Sequence, residues 1–317
     1  MLAMTMIIVC HILQTYGNEL CYWFNSGVQI FLIISGFLYG GKIYDKPLSI
    51  LKKQFKKILT PYYLFLIIII PVYLIWAPQE ISITSILTSL LCCGTISGQG
   101  HFWFIPYILF CYLITPYLYY VKESLKEKSL KHTLLIYALI LVLIPVIGQA
   151  FDSYFGAANI SCYVIGYFLY DLITRFKDKK VWTWVIVLAV ILAIGANAVQ
   201  IYIDYISGIA LEGTLLTIYG IFKGYAHLLL GLLIFVTVYR LCKDIRYSKL
   251  LKFSDTYSYE IFIVHATFIR SVFHLLNLTS INAINIILAV ALTILSGVLL
   301  KRLSETFTSF KFKVCNG

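Results

Sequence analysis

Charge is scarce in this chain of 317 residues: only 12% of the residues are Asp, Glu, Lys or Arg, whereas 61% are hydrophobic. A soluble protein of this length needs a much larger charged surface. The composition therefore excludes an ordinary soluble domain and indicates that a lipid bilayer is the solvent.

Several common motifs are missing as well. The eight cysteines form no CxxC pair and no metal-ligand spacing, so we expect no metal. The sequence has no P-loop, no dinucleotide fingerprint and no internal repeat. Its first residues lack the basic start and the small-residue cleavage site of a signal peptide. These absences argue against a zinc protein, a nucleotide-phosphate loop and a secreted leader.

Apolar runs fill most of the chain. A transmembrane helix needs about 20 apolar residues. Ten candidate runs lie near residues 1–13, 24–40, 57–76, 102–121, 132–150, 159–175, 181–202, 215–239, 255–277 and 281–300. They leave no room for a soluble domain. We predict an all-α fold: one integral membrane domain over residues 1–317, a polytopic bundle of about ten transmembrane helices.

All of the 25 basic residues except Lys223 and Arg270 fall in alternate connections between these runs. They lie within 42–57, 122–131, 175–180, 240–252 and 301–313. The intervening connections carry acidic residues instead, among them Glu19, Glu80 and Glu212. This is the positive-inside pattern, which predicts a cell-membrane protein with both termini in the cytoplasm. It also explains the net charge of +11 without a nucleic-acid partner.

The first run is short for a membrane span. The charge alternation nevertheless requires residues 1–13 to cross the bilayer. We expect the natural polypeptide to begin upstream, so that about 8–15 residues of the first helix are missing here. The alternative is a short helix that thins the bilayer locally.

Polar groups interrupt the ninth run. The segment YEIFIVHATFIR, residues 259–270, contains Glu260, His265 and Arg270. Ionisable groups within a span usually face a cavity and mark function. On a helix over 255–277, Arg270 shares a stripe with Glu260, whereas His265 points roughly 140° away from Glu260. The alternatives are an ion pair that fixes packing, and a core histidine bonded to one backbone carbonyl.

The first run carries a second imidazole. In IIVCHILQTYG, His11 follows an apolar stretch, with Gln14 and Thr15 on its face of the helix. His11 and His265 are both predicted to lie in the middle or outer half of the membrane. Two imidazoles at similar depth indicate proton transfer, because histidine titrates near neutral pH.

Three further places are candidates. His101 and Trp103 precede the fourth predicted helix, where an aromatic belt at the membrane interface is the alternative explanation. Ser35 lies beside a glycine in FLIISGFLYGG and favours close helix packing over a site. Lys223 and His227 share a helix face; they could bind an anionic group, or Lys223 could pair with Asp204 or Glu212.

Five stretches in order along the chain carry a family resemblance. They are LAMTMIIVCHI (2–12), GVQIFLIISGFLYG (27–40), LKKQFKKILTPYYL (51–64), GHFWFIPYILFCYLITP (100–116) and SYEIFIVHATF (258–268). Together they resemble acyltransferase family 3, the multi-pass membrane O-acyltransferases that modify cell-surface sugars.

The resemblance implies roles for particular residues. His11 matches the first-helix histidine that the family needs for transfer. The family's R-x-x-A arrangement places an alanine at Ala3 and an arginine just before Met1. The family's Y-x-I-Y-x-x-H element matches Tyr259 to His265, with Phe262 in place of the second tyrosine.

The expected function is O-acyl transfer, with acetyl-CoA as donor and a hydroxyl of a cell-surface or lipid-linked glycan as acceptor. His11 is the expected base or transient acyl carrier, and His265 or Arg270 would polarise the thioester or stabilise the oxyanion. The expected supporting residues are Arg270, Glu260, Ser35, His101, Trp103, Tyr259 and Lys223. The expected contacts to the phosphates of coenzyme A are Lys52, Lys53, Lys56 and Lys57, although the positive-inside rule explains these lysines equally well.

Two other functions remain open at this point. A transporter or flippase for a lipid-linked sugar would also place His, Arg and Glu inside the membrane. The other possibility is a membrane scaffold without catalytic activity.

Overall fold

The computed structural model describes residues 1–44, 46–150, 154–175, 179–242, 246 and 248–315. Helices dominate this part of the chain, and it contains no β-strand. Parts of the basic connections predicted at 175–180 and 240–252 lie outside the described residues.

Helices occupy all ten of the predicted apolar runs. The chain forms α1 Leu2–Thr15, α2 Cys21–Phe24, α3 Gly27–Gly40, α4 Ser49–Trp76, α5 Ile83–Leu90, α6 Phe104–Ser124, α7 Leu130–Ala150, α8 Tyr154–Arg175, α9 Lys179–Ile201, α10 Gly213–Cys242, α11 Lys249–Ile269 and α12 Asn282–Cys315. The second run is divided between α2 and α3. The basic segment LKKQFKK lies in the first turns of α4, which begins earlier than predicted.

Eight helical segments in the described ranges are long and apolar enough to cross a membrane, and α1 and α11 are not among them. Helix α1 has 14 residues, about 21 Å at the rise of an α-helix, against a hydrocarbon core of about 30 Å. Helix α11 has sufficient length, but its sequence includes Lys249, Lys252, Asp255 and Glu260. The all-α, multi-pass membrane fold is confirmed. The cytoplasmic location of both termini stays a prediction.

The chain forms two compact units that alternate along the sequence. The first comprises Met1–Phe24, Ser49–Phe110 and Arg246–Gly317, and the second comprises Asn25–Leu48 and Cys111–Ile245. The prediction of a single domain over residues 1–317 stays a prediction.

In the first unit, α11 packs against α1, α4 and α12. A small apolar cluster joins α1 to the far end of α11 and to α12 through Ile12, Ile269, Leu276 and Ala289. The hydroxyl of Tyr16 donates to the carbonyl oxygen of Leu276, 3.1 Å away. These contacts determine which face of α1 points at α11.

The end of α11 differs from the prediction. The helix was expected to continue to residue 277, but it ends at Ile269. The hydroxyl of Ser271 donates to the carbonyl oxygen of Thr267 at 2.6 Å, and His274 adopts a left-handed backbone conformation with φ of 45°. The side chain of Asn285 then donates to the carbonyl oxygen of Leu276 at 3.0 Å. The last two helical turns of the prediction are therefore absent, and the side chain of Asn285 holds the chain there instead.

In the second unit, α3 and α8 approach closely enough for their backbones to touch. A Cβ atom on Gly36 would overlap the carbonyl oxygen of Tyr163, and one on Gly166 would overlap that of Ile33. Small residues permit such contact in membranes, where helix association depends on packing rather than on the hydrophobic effect. The small-residue packing proposed for Ser35 and its neighbour is confirmed for Gly36.

This contact predicts that Gly36→Ala destabilises the protein, because a methyl group there must push two backbones apart. We expect a loss of about 1–3 kcal/mol, seen as a lower unfolding temperature of the detergent-purified protein by tryptophan fluorescence. Gly195→Ala on α9 is the matched control, because a Cβ atom there meets nothing within 4 Å. Equal unfolding temperatures for the two variants would contradict the close approach.

Candidate active site

His11 on α1 and His265 on α11 stack on each other in the first unit. Their ring centroids are 5.1 Å apart, with an interplanar angle of 27°. His265 is fully buried, whereas His11 is half-buried. The two histidines identified in the sequence therefore share one location, although they lie 254 positions apart in the chain.

A third imidazole, His101, completes the cluster. Its ring centroid lies 4.6 Å from that of His265, and its Nε2 lies 3.0 Å from the carbonyl oxygen of Ile263 on α11. The loop before it is held against α11, because Gln99 donates from Nε2 to Thr267 Oγ1 at 3.1 Å. Gly98 has a φ of 70°, and a Cβ atom there would lie 2.8 Å from the Cα atom of Ser271.

Two buried ring nitrogens in this cluster have no hydrogen-bond partner among the described residues. The Nδ1 of His265 contacts the carbonyl oxygen of Phe262, so Nδ1 carries the proton and donates. Its Nε2 then holds a lone pair and has no hydrogen-bond partner among the described residues; the same holds for Nδ1 of His101. Buried nitrogens of this kind are available to a proton or a substrate group.

Arg270 and Gln14 border the cluster at the end of α11. Arg270 Nη1 lies 3.2 Å from Gln14 Oε1 and 3.3 Å from His11 Nδ1. Gln14 Oε1 also lies 2.9 Å from His11 Nδ1. A permanent positive charge therefore lies next to the half-buried imidazole.

Cavities lie at both ends of this part of α11. The lysine cavity, of about 670 Å³, is lined by Lys53, Lys56, Lys57 and Lys301 together with Glu260 and Glu305, among other residues. The arginine cavity, of about 220 Å³, is lined by Thr15, Arg270, His274 and Asn277 with two apolar residues. His265 lies midway between Glu260 and Arg270, about 7.5 Å along the helix axis from each at the helical rise.

Glu260 has an ion-pair partner that sequence reasoning missed. Its buried carboxylate oxygen Oε1 lies 3.3 Å from Lys301 Nζ on α12. Lys301 was counted only as a cytoplasmic charge, although an acid buried in an apolar helix requires a cation. Gln14 was noted only for its helix face, and its contact with Arg270 carried no signal in the sequence.

The remaining candidates lie in other surroundings. Tyr259 donates from its hydroxyl to the carbonyl oxygen of Ile58 at 2.8 Å, and the ring of Trp103 packs edge-on against Tyr107. Lys52 is on α4 but does not line the lysine cavity. In the second unit, Ser35 Oγ lies 3.5 Å from the hydroxyl of Tyr112.

Lys223 forms the ion pair that was one of its two predicted possibilities. Its Nζ lies 3.0 Å from Asp204 Oδ2 in the second unit. The acid also accepts a hydrogen bond from the hydroxyl of Tyr219 at 2.8 Å. The structure thus places a carboxylate, rather than open space, beside this cation.

Metal binding has no candidate in the part of the chain that the structure describes. No group of three or more His, Cys, Asp or Glu side chains there could hold a metal ion. Ring contacts join the three histidines, and the rings of His101 and His265 each contact a backbone carbonyl oxygen of α11.

Comparison with known proteins agrees with the motifs. The family model for the acyltransferase domain of acyltransferase family 3 matches residues 1–302. No curated protein and no solved structure matches the chain. The matched region contains all three histidines, Arg270 and the four lysines that line the lysine cavity. The chain belongs to acyltransferase family 3 and is a multi-pass membrane acyltransferase that transfers groups other than aminoacyl groups.

Proposed function

We propose that this acyltransferase moves an acetyl group from acetyl-CoA to a hydroxyl of a cell-surface or lipid-linked glycan, in the cell membrane. The observation that carries the proposal is the stack of His11 on His265, on a helix that borders one cavity with Glu260 and another with Arg270. The proposed base, His11, therefore lies between a cavity for the acyl donor and a cavity for the acceptor.

The lysine cavity fits the donor. Coenzyme A carries several phosphate charges, and four lysines around one cavity can bind them through charge-assisted hydrogen bonds. A volume of about 670 Å³ lies within the usual range for cofactor sites. Glu260 pairs with Lys301, and no ion pair among the described residues involves a lysine of α4, so those lysines can bind the ligand. The acetyl thioester would extend along α11 towards His265.

His11 is the proposed general base. It takes the proton of the acceptor hydroxyl while the hydroxyl oxygen attacks the thioester carbonyl carbon. The carbon–sulfur bond then breaks, and the proton passes to the departing thiolate to give coenzyme A. The products are the acetyl ester and the free thiol, and no other reactant is needed.

Arg270 is better suited than His265 to stabilise the oxyanion. A guanidinium has five N–H donors and keeps its charge at every working pH. His265, in contrast, uses its Nδ1 proton on the carbonyl oxygen of Phe262 and presents a lone pair at Nε2. Preorganised donors of this kind contribute about 2.7–4 kcal/mol in other acyl transfers.

The arginine cavity is the proposed acceptor site. Thr15, His274 and Asn277 offer hydroxyl, imidazole and amide groups that can bind sugar hydroxyls, beside apolar surface from Ile269 and Leu276. A glycan hydroxyl bound there lies next to Arg270.

We predict that replacing His11 greatly slows transfer of the acetyl group. His11→Ala should lower the incorporation of label from radiolabelled acetyl-CoA into membrane polysaccharide by about 10²–10⁴-fold, the usual contribution of a general base. Binding of acetyl-CoA should change little, because the lysines remain. NMR of the purified polysaccharide should show the same loss of O-acetyl signals.

The matched control is His132→Ala, which removes an exposed histidine of α7. Undiminished labelling with His11→Ala would remove His11 from the mechanism. If wild-type membranes move lipid-linked sugar without labelling it, the transporter function replaces the proposed one.

We predict that removing one lysine from the lysine cavity weakens the binding of acetyl-CoA. Lys57→Gln should raise KM for acetyl-CoA by about tenfold with little change in kcat, because one charge-assisted phosphate contact is lost. The comparison is Lys52→Gln, which removes the same charge from the same helix outside the cavity. An equal rise in KM for both variants would show that general positive charge, and not the cavity, attracts the donor.

A further inference from the structure

Gln14 makes two contacts from a single atom. Its Oε1 lies 2.9 Å from His11 Nδ1 and 3.2 Å from Arg270 Nη1. Gln14 is one turn along α1 from His11, so the helix itself places the two side chains on one face. The amide, the imidazole and the guanidinium therefore converge on one point.

The guanidinium determines how the amide is turned. An arginine nitrogen can only donate, whereas a glutamine amide has one accepting oxygen and one donating nitrogen. If the amide were reversed, its NH₂ group would face Arg270 Nη1, donor against donor. The atom nearest Arg270 is therefore the carbonyl oxygen.

The amide in turn determines the tautomer of His11. Its carbonyl oxygen only accepts, so the ring nitrogen 2.9 Å away must carry a proton. One of the three contacts among these groups cannot be a hydrogen bond. With the proton on Nδ1 it is the longest one, 3.3 Å between Arg270 Nη1 and the ring nitrogen, while Arg270 donates to Gln14 Oε1 at 3.2 Å. His11 therefore has its proton on Nδ1 and its lone pair on Nε2.

We propose that Gln14 is a positioning residue: oriented by Arg270, its carbonyl oxygen holds the proton of His11 on Nδ1 and leaves Nε2 as the base. This rests on the proposed function for what the base does, but not for the tautomer. The arrangement parallels the carboxylate that orients the histidine of a Ser-His-Asp triad. A neutral amide gives the orientation without the charge that would hold His11 in its protonated form.

The other groups around His11 agree with this role. From α11 it faces Arg270, a cation, and His265, a neutral imidazole whose proton is used on a backbone carbonyl. His101 lies behind His265. On α2, Cys21 uses its carbonyl oxygen for Cys10 rather than for His11. The described residues place no carboxylate within ion-pair distance of His11.

Two variants of Gln14 test the inference. Gln14→Met keeps the length of the side chain but removes the acceptor, so kcat should fall by about tenfold or more while KM for acetyl-CoA is unchanged. Gln14→Glu restores an acceptor but adds a charge. The pH at which half of His11 is unprotonated should then rise, on the order of one unit, because a carboxylate favours the imidazolium.

Two measurements on the full chain in detergent give the pH midpoint at which half of His11 is unprotonated. The first is the pH dependence of kcat/KM with acetyl-CoA and native membrane glycan. The second is the rate at which diethyl pyrocarbonate modifies His11, followed by mass spectrometry, since the reagent attacks only the unprotonated ring. Gln79→Glu is the matched control, because it makes the same change at an exposed position of the first unit.

The outcomes separate this inference from the proposed function. A rise of both midpoints in Gln14→Glu, and of neither in Gln79→Glu, supports the positioning role. An unmoved modification midpoint in Gln14→Glu overturns it. If the modification midpoint rises while that of kcat/KM does not, Gln14 positions His11 as inferred, but His11 is not the base and the proposed mechanism fails.

Discussion

The packing of α1 against α11 is the constraint on which the site depends. Ile12, next to His11 in sequence, is buried in the cluster with Ile269 and Leu276, and this burial sets the rotation of α1. Successive helical residues point about 100° apart, so a rotation by one residue would turn His11 away from α11. An apolar contact therefore fixes the position of the His11 imidazole, which forms no ion pair with the described residues.

Two ion pairs in the described residues compensate charges that lie within the helices. Glu260 has Lys301, and Lys223 has Asp204, as buried or half-buried ions in an apolar protein require. Arg270 has an amide and an imidazole instead of a carboxylate among the described residues. Its charge is thus available to a transition state whose own charge is negative, and its position at the C-terminal end of α11 makes a cation favourable there.

Much of the fold could be predicted from the sequence, because apolar runs of sufficient length have few alternatives in a membrane. The end of α11 could not: its apolar pattern continues past Ile269, whereas the backbone turns at His274 and the side chain of Asn285 bonds to the carbonyl oxygen of Leu276. His11 and His265 were identifiable as imidazoles in apolar surroundings. The contacts of Gln14 with Arg270 and of Glu260 with Lys301 were not identifiable, because 256 and 41 positions separate the two partners in the sequence.

The central claim is that donor and base meet on α11, and a cryo-electron-microscopy structure with a non-hydrolysable acetyl-CoA analogue bound tests it most directly. The account predicts phosphate density against Lys53 and Lys57, with the acyl carbonyl carbon between His265 and Arg270 and within reach of His11. An analogue bound away from the lysine cavity, or an acyl group remote from both stacked rings, would contradict it.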